Sequence, residues 1–299
     1  MTDLAVLLTP FLDLMFAGLD ELPPLGGERF ATDLIRSPGG GAITATGGAR
    51  LGLDTVRAAP LGEDPSGMFL ATALRADGVR LVHPHDGLTA TTVVMPAHCD
   101  RALVTYDPGA RVRRSDLETL APRAVVCGID QLDVLPDGTQ AYISVGDQEA
   151  HDHAQRLPRA VSGHTLVANE PEAMLLSGAA DAERAAFALA EQATTAVVTV
   201  GPRGALAVAA GELYVAAGVD AGPAVDTTGA GDLFMAAYVW AGLRGIEAAE
   251  RLRWAVLYAS LSVTVPTATA GAITQAQLIE EAARRGLRAT PSPSPAKER

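Results

Sequence analysis

Short apolar runs alternate along the chain with segments of helical periodicity, and this alternation constrains the fold more than any other feature. The strand-like runs are residues 4–8, 55–59, 124–127, 141–145, 165–168 and 196–200. The helical patterns cover residues 43–51, 65–76, 182–192, 230–241, 246–264 and 275–285. Strands that alternate with helices pair side by side, and the helices cover both faces of the sheet. The sequence therefore predicts an α/β fold, a three-layer α/β/α sandwich with a mostly parallel central sheet.

Two stretches interrupt this alternation and are predicted to form a small β-sheet. They lie at about residues 13–37 and 89–106, and they contain short alternating segments (FATDLI, TTVVMP, RALVTY) joined by turn residues. We expect both to be inserted into a single α/β domain that spans residues 1–285. Residues 286–299 are rich in Pro and Ser and bury too little apolar surface, so we expect a flexible C-terminal tail.

Composition and charge argue against several classes of function. No apolar run reaches the roughly 20 residues of a membrane span, and the N-terminus has no basic flank followed by an apolar core, so we expect a cytoplasmic protein. The formal net charge of −12 argues against nucleic-acid binding, because phosphate binding needs clustered Lys and Arg. Cys99 and Cys127 have no CxxC or CxxH spacing, which argues against a disulfide framework or a zinc site.

The string DTTGAGD, residues 226–232, has the features of an anion site at a helix start. A helix N-terminus presents unpaired N–H groups, and the small residues Gly229, Ala230 and Gly231 let phosphate oxygens approach them. Asp232 then lies on the first turn, where it could accept a proton from a hydroxyl that attacks a bound phosphoryl group. The same letters also fit a Gly-rich loop and an ordinary helix-start acid, which the dipole favours by only about 0.3–1 kcal/mol.

Four motifs together resemble the ribokinase-like, or PfkB, family of carbohydrate kinases, and they occur in the family's order. DTTGAGD matches the C-terminal signature of the family. Residues 37–79 are similar to its N-terminal signature, with a Gly-Gly pair, a helix, a strand and the turn GEDPSG. ANEPEA resembles its N-x-x-E element, and VVTVGPRGA resembles its T-x-G-x-x-G strand and turn. The resemblance covers nearly the whole chain, and it implies a ribokinase-like fold with a small β-sheet lid.

The resemblance implies catalytic and nucleotide-binding roles. Asp232 would be the general base, and the N–H groups of residues 229–231 would stabilise charge on the transferred phosphoryl group. Glu172, with Asn169, would organise Mg²⁺ through its bound waters near the phosphates of ATP. The other residues implied on the cofactor side are Thr199, Gly201, Gly204 and Thr227.

The resemblance also implies an acceptor side. Asp13 matches an acid that accepts hydrogen bonds from sugar hydroxyls, and Gly39 and Gly40 match a glycine pair whose bare backbone lets a sugar come close. Thr44 stands where the family commonly has Asn, and Phe11 stands where it often has Asn. The small β-sheet corresponds to a lid that covers the sugar and often pairs with a second lid, so we expect a homodimer.

The sequence departs from the family near the expected adenine pocket. Residues 263–274, VTVPTATAGAIT, replace a shorter V-T-R-P-G-A segment and lack its Arg. In many family members this loop forms a monovalent-cation site with two residues of the signature, here Asp226 and Thr228. The sequence leaves K⁺ dependence open.

These features predict an ATP-dependent kinase that phosphorylates a hydroxyl of a small sugar or related polyol. Two alternatives remain, a nucleoside kinase of the same fold and a catalytically silent sugar-binding or regulatory protein. The expected lid offers few cations, mainly Arg29 and Arg101 with Arg36 at its base, which favours an acceptor that is not already phosphorylated.

Overall fold

The computed structural model describes residues 1–82, 87–97, 100–109 and 112–287, which form two β-sheets and the helices around them. Most of the predicted tail, residues 288–299, lies outside the described residues, as do Cys99 and the side chain of Arg101. Within the described ranges, no helix is long and apolar enough to cross a membrane.

The larger sheet contains nine strands in the described part of the chain. They are β1 (Leu4–Val6), β4 (Thr55–Arg57), β5 (Arg80–Leu81), β8 (Ala124–Cys127), β9 (Ala141–Ser144), β10 (Thr165–Asn169), β11 (Thr195–Thr199), β12 (Gly204–Ala209) and β13 (Glu212–Ala217). Their order is β13-β12-β11-β10-β9-β8-β1-β4-β5. The strands from β11 to β5 run parallel, and β12 and β13 add an antiparallel edge. This agrees with the mostly parallel sheet predicted from the alternation.

The smaller sheet has four strands, in the order β3-β2-β6-β7. They are β2 (Pro10–Ala17), β3 (Asp33–Gly40), β6 (Thr91–Ala97) and β7 (Asp100–Tyr106). β2 pairs antiparallel with β3 and parallel with β6, while β6 pairs antiparallel with β7. The hairpin of β2 and β3 spans residues 10–40, so it extends beyond the predicted stretch of about 13–37 at both ends. It includes the Gly39-Gly40 pair.

Helices cover both faces of the larger sheet. They are α1 (Gly41–Arg50), α2 (Pro65–Ala76), α3 (Arg114–Leu120), α4 (Asp147–Asp152), α5 (Glu170–Ser177), α6 (Ala182–Ala190), α7 (Ala230–Leu243), α8 (Ala248–Ser262), α9 (Ala268–Gly271) and α10 (Gln275–Arg284). Alternate residues of β1 point to opposite faces, so Leu4 belongs to one buried apolar cluster and Ala5 to the other. Helix α7 is buried along most of its length, where it packs against α1 and α8.

Strands β5, β12 and β13 and the helices α3, α4, α5 and α9 are additions to the predicted elements. The sequence of β12, GALAVA, is rich in Ala, which has a weak preference for strands. Its strand conformation is fixed by antiparallel pairing with β11, in which Ala205 lies opposite Thr199. The short turn at residues 200–203 brings these two consecutive strands together, although the Ala-rich sequence of β12 does not itself indicate a strand.

Candidate active site

A cleft of about 730 Å³ opens at the carboxyl ends of the parallel strands, between the larger sheet and the smaller one. Ligand sites of open α/β sheets commonly lie at this edge. The predicted site residues that line the cleft are Gly40, Asn169, Glu172, Thr199, Gly231 and Asp232. The fold therefore brings residues expected on the acceptor, cofactor and catalytic sides into one space.

The start of α7 forms an open helix terminus in this cleft. Gly229 precedes the helix with a φ of 77°, and a Cβ there would lie 2.5 Å from Ile43 Cδ1 and 2.7 Å from Ala268 Cβ. Both its backbone conformation and its packing therefore require glycine. At Gly231, by contrast, a Cβ would meet nothing within 4 Å. That side of the helix start is free to receive a ligand.

The backbone N–H groups of this terminus are only partly engaged. The Ala230 N–H donates to the Thr227 carbonyl oxygen over a long 3.4 Å. The N–H groups of Gly231 and Asp232 belong to the first helical turn, where an α-helix offers no intrahelical acceptor. Together with the positive end of the helix dipole, they form a site suited to an anion.

Asp232 places a carboxyl group in the first turn of this helix. Thr44 Oγ1 donates a hydrogen bond to Asp232 Oδ1 at 3.1 Å. Burial raises the pKa of Asp232 to about 7, the charge of Asp13 adds to the rise, and the Thr44 hydrogen bond opposes it. A carboxyl group with a pKa near the working pH is suited to act as a general base.

Asp13 and Gly39, which were expected on the acceptor side, lie against each other in the smaller sheet, and neither lines the cleft directly. Asp13 is only 7% exposed, and its carboxylate occupies the space that a Cβ at Gly39 would need. Burial raises the pKa of Asp13 to about 7, and the charge of Asp226 contributes. This acid is thus held close to bare backbone and close to the charge of Asp232.

Thr44 and Phe11 differ in their access to the cleft. Thr44 is completely buried and its hydroxyl donates to Asp232, so this residue, expected to contact the acceptor, does not face the cleft directly. Phe11 lines the cleft, and its ring packs against Gly40, where a Cβ would lie 2.5 Å from Phe11 Cδ2. The cleft therefore has an aromatic face at this point.

Asn169 and Glu172 form the start of α5 through a reciprocal pair of hydrogen bonds. The Glu172 N–H donates to Asn169 Oδ1 at 2.9 Å, and the Asn169 N–H donates to Glu172 Oε2 at 2.8 Å. Burial raises the pKa of Glu172 to about 7, and the charges of Asp147 and Glu149 contribute. Glu172 thus stabilises the start of α5. It also lies near other negative charges, and a bound cation would reduce their repulsion.

The other expected cofactor residues lie at the turn between β11 and β12 and before α7. Thr199 ends β11 and lines the cleft. Gly201 and Gly204, with φ of 59° and 104°, form the turn that follows. A Cβ at Gly204 would overlap the Ala216 carbonyl oxygen, so this glycine is required by the pairing of β12 with β13. Thr227 is exposed just before the anion site.

Asp226 ties the segment before α7 to the 263–274 loop. Its Oδ1 accepts from the Thr228 N–H at 2.9 Å, and its Oδ2 accepts from the Thr267 N–H at 3.1 Å. The Val225 N–H adds a 2.7 Å hydrogen bond to the Val263 carbonyl oxygen. The hydroxyl oxygen of Thr228 is buried without a hydrogen-bond partner, which leaves one oxygen donor available for a ligand.

Several acidic residues that were not predicted also line the cleft. They are Asp107, Asp130, Asp147 and Glu149. Glu149 lies against Gly128, where a Cβ would overlap its carboxylate, and it accepts from the Gly146 N–H at 3.3 Å. Gly128 and Gly146 follow β8 and β9, so the rule that sites lie at the carboxyl ends of parallel strands could have found them. Among the described residues, no three His, Cys, Asp or Glu side chains are grouped as metal ligands.

Comparison with known proteins gives consistent similarities over most of the chain. Residues 31–275 match the model of the pfkB family of carbohydrate kinases. An acarbose 7(IV)-phosphotransferase of Actinoplanes sp. is 27% identical over 290 residues, which cover 89% of this chain and 94% of that protein. The ribokinase of Bacillus subtilis is 27% identical over 263 residues, which cover 82% and 87% of the two chains.

The structural comparison agrees with the sequence comparison. The structure of Arabidopsis thaliana ribokinase complexed with ribose and ATP superposes with a TM-score of 0.80 at 26% identity. The superposition covers 94% of this chain and 98% of that one. The shared architecture confirms the fold class that was predicted from the sequence.

Proposed function

The chain belongs to the pfkB family of carbohydrate kinases, and from that premise we propose that it transfers the γ-phosphoryl group of ATP to a hydroxyl of a small sugar or related polyol. One observation carries the mechanism: a carboxyl group with a pKa raised to about 7, that of Asp232, lies at the open N-terminus of α7. The catalytic base and the anion site thus come from consecutive residues of a single helix start.

In this mechanism Asp232 takes the proton of the acceptor hydroxyl as the hydroxyl oxygen attacks the γ-phosphorus of ATP. The bond from that phosphorus to the bridging oxygen of the β-phosphate breaks, and ADP leaves. The backbone at Gly229, Ala230 and Gly231 and the α7 dipole stabilise the negative charge that develops on the phosphoryl oxygens. The open space at Gly231 supports this role, because a phosphoryl group can approach there without meeting a side chain. A base positioned in this way contributes a factor of about 10²–10⁴ to the rate.

The cofactor side of the site is proposed to hold ATP and Mg²⁺. Asn169 and Glu172 would face the metal and its waters, and Thr199 lines the same wall of the cleft. Gly201, Gly204 and Thr227 complete the proposed nucleotide side. Bound Mg²⁺ would neutralise charge on the phosphates. Burial of Glu172 near Asp147 and Glu149 supports this assignment, because a divalent cation would favour its ionised form.

The acceptor is proposed to bind against Asp13, Gly39 and Gly40. The names of the two relatives, a ribokinase and an acarbose phosphotransferase, support a carbohydrate acceptor. Of the lid cations, Arg29 forms an ion pair with Glu21, which supports an acceptor without a phosphate group. A cytoplasmic location, expected from the sequence, fits an enzyme that consumes ATP.

A homodimer through the lid is also proposed. The edge strands β3 and β7 of the smaller sheet expose Leu34, Leu103, Val104 and Tyr106, and exposed apolar edges favour pairing with another chain. Light scattering should give the mass of two chains for the parent and of one chain for Val104→Glu. The control Val215→Glu, at the exposed edge strand β13, should leave the mass unchanged.

Binding of K⁺ near Asp226 and Thr228 is proposed on the unpartnered, buried Thr228 hydroxyl oxygen. Turnover should then be several-fold higher in potassium salts than in choline salts of equal ionic strength, and Thr228→Val should abolish the difference. Equal turnover of the parent in both salts would contradict this assignment.

The kinase function is tested by ADP release in a screen of sugars, polyols, sugar phosphates and nucleosides, with Asp232→Asn as the blank. We expect turnover with an unphosphorylated sugar or polyol. Preferential turnover of a nucleoside would favour the nucleoside kinase alternative, and preferential turnover of a sugar phosphate would contradict the proposed acceptor class.

A further inference from the structure

The hydroxyl of Thr44 is hydrogen-bonded to Asp232, and the residue is buried and does not line the cleft. It is 0% exposed, and its hydroxyl donates to Asp232 Oδ1 at 3.1 Å. A hydroxyl group has one proton to donate, so this bond uses its donor capacity. We propose, on the basis of the kinase function above, that Thr44 is a positioning residue that holds the Asp232 carboxylate so that Oδ2 receives the proton of the acceptor hydroxyl.

The packing of α1 against α7 fixes this hydrogen bond independently of any ligand. A Cβ at Gly47 would lie 2.8 Å from Leu233 Cδ2, so the absence of a side chain there lets the helices come close. One turn earlier on α1, Ile43 meets Gly229 in the same way. Thr44 lies between these two contacts, so the position of its hydroxyl relative to Asp232 is set by the core.

The hydrogen bond also acts on the charge of the base. Burial and the nearby charge of Asp13 both favour the protonated form of Asp232. A hydroxyl that donates to a carboxylate favours the ionised form, which is the form that accepts a proton. Among the described residues, Asp13 on β2 is the titratable group that faces Asp232, and Thr44 is the group that opposes its effect.

Charged groups on the other helices that pack around α7 are engaged elsewhere. The charged residue of α1 is Arg50, which is bound to Asp77 at the far end of that helix. On α8, Arg251 lies over the ring of Tyr238, further along α7, and Arg253 pairs with Glu250. The charge state of Asp232 is therefore set by its burial, by the hydrogen bond from Thr44 and by the charge of Asp13.

The test compares Thr44→Val, which removes the hydroxyl at nearly constant volume, with Thr44→Ser, which keeps it. Thr46→Val is the matched control, because Thr46 is also completely buried on α1 but its hydroxyl has no hydrogen-bond partner. The carboxyl pKa of Asp232 is measured by NMR of ¹³C-aspartate-labelled protein, and its signal is assigned by its loss in Asp232→Asn. This measurement needs no acceptor, so it stays informative if the kinase function fails.

We expect Thr44→Val to raise the carboxyl pKa by about one pH unit, the size expected for losing a hydrogen bond to a charged group. With the best acceptor of the screen, the acidic limb of the pH profile of kcat should shift to higher pH by the same amount. The KM for ATP should not change. Thr44→Ser, which keeps the hydroxyl, should keep the carboxyl pKa close to that of the parent, and Thr46→Val should leave both the pKa and the kcat profile unchanged. The proposal fails if Thr44→Val leaves the carboxyl pKa and the acidic limb where they are, or if Thr46→Val moves them as far.

Discussion

The carboxylate of Asp13 lies in the space that a side chain on Gly39 would fill. β2 and β3 are paired so that Phe11 lies opposite Gly39 and Asp13 opposite Ser37, and the missing side chain leaves room diagonally across the hairpin. Asp13 is thereby buried in a lid strand, where burial raises its pKa to about 7. The molecule keeps an acid in a position that is unfavourable for its charge, and this position is the one proposed for the acceptor.

Gly39→Ala is expected to displace Asp13 and weaken acceptor binding. The added methyl group would overlap the carboxylate, so the Asp13 side chain must rotate away from its place. We expect kcat/KM for the acceptor to fall at least roughly 10-fold, as the loss of a charge-assisted hydrogen bond implies, with little change in KM for ATP. Pro38→Ala is the control, because adjacent strand residues point to opposite faces. Equal losses in both variants would mean that the strand, not Asp13, is perturbed.

Asp13→Asn is expected to stabilise the fold at alkaline pH. The pKa of Asp13 is raised from 3.8 to about 7 in the folded protein, so between these values the folded state binds a proton that the unfolded state does not. The parent therefore loses stability as pH rises through about 7. Asn carries no charge, so at pH 8 we expect the melting temperature to rise by about 2–4 °C for each kcal/mol of relieved charge burial.

The difference in melting temperature between Asp13→Asn and the parent should be smaller at pH 5 than at pH 8, because Asp13 is mostly protonated in the folded state at pH 5. Thermal melts at both pH values measure it, and the variant should turn over its acceptor more slowly than the parent at either pH. A variant that melts at or below the parent temperature at pH 8 would show that Asp13 has a stabilising partner when it is ionised.

Glu172→Gln is expected to raise the Mg²⁺ concentration needed for half-maximal turnover by roughly 10-fold, because it removes a negative charge that faces the proposed metal. The amide oxygen of Gln can still accept from the Asn169 N–H, so helix α5 should stay folded. Glu170→Gln is the control: Glu170 precedes Glu172 on the same helix and pairs with Arg203. Superimposable magnesium titrations for the parent and Glu172→Gln would remove Glu172 from the metal site.

The parts of the site that could be predicted from sequence are those that depend on local chemistry. Gly229 and Gly231 lie within one string whose small residues and following acid point to a helix-start anion site. The parallel strands were predictable for the same reason, since strands buried on both faces are continuous apolar runs. Asp13 and Glu172 were predicted to be site residues from the family resemblance, because a single acidic residue forms no distinctive sequence pattern.

The remaining features depend on contacts between distant parts of the chain. The bond from Thr44 to Asp232 spans 188 residues, and the bond from Thr267 to Asp226 spans 41. The family resemblance matched Thr44 to a position that contacts the acceptor, but the rotation of α1 is set by packing against α7. Burial, which raises the pKa of Asp232, is likewise a property of the assembled core. The local sequence pattern therefore predicts neither the rotation of α1 nor the burial of Asp232.

Asp232→Asn is the variant that decides the mechanism. Asn has nearly the same size and can still accept from the Thr44 hydroxyl, but it cannot take up the acceptor proton. We therefore expect kcat to fall by roughly 10²–10⁴. ATP affinity should change little, because the anion site is made of backbone N–H groups that the substitution leaves in place. Because partial burial raises the pKa of Asp232, removal of its charge should also keep the variant at least as stable as the parent at pH 8.

The parent should show an acidic limb in its kcat profile near pH 7, since the ionised form of Asp232 is the active one and its pKa is raised to about 7. Asp116→Asn is the matched control, because Asp116 also lies in the first turn of a helix, α3, but away from the cleft. A first-turn acid that serves only the helix dipole contributes about 0.3–1 kcal/mol of stability and nothing to turnover. If Asp232→Asn keeps the parent kcat at saturating acceptor, as Asp116→Asn should, then Asp232 is such an acid and the base lies elsewhere in the cleft.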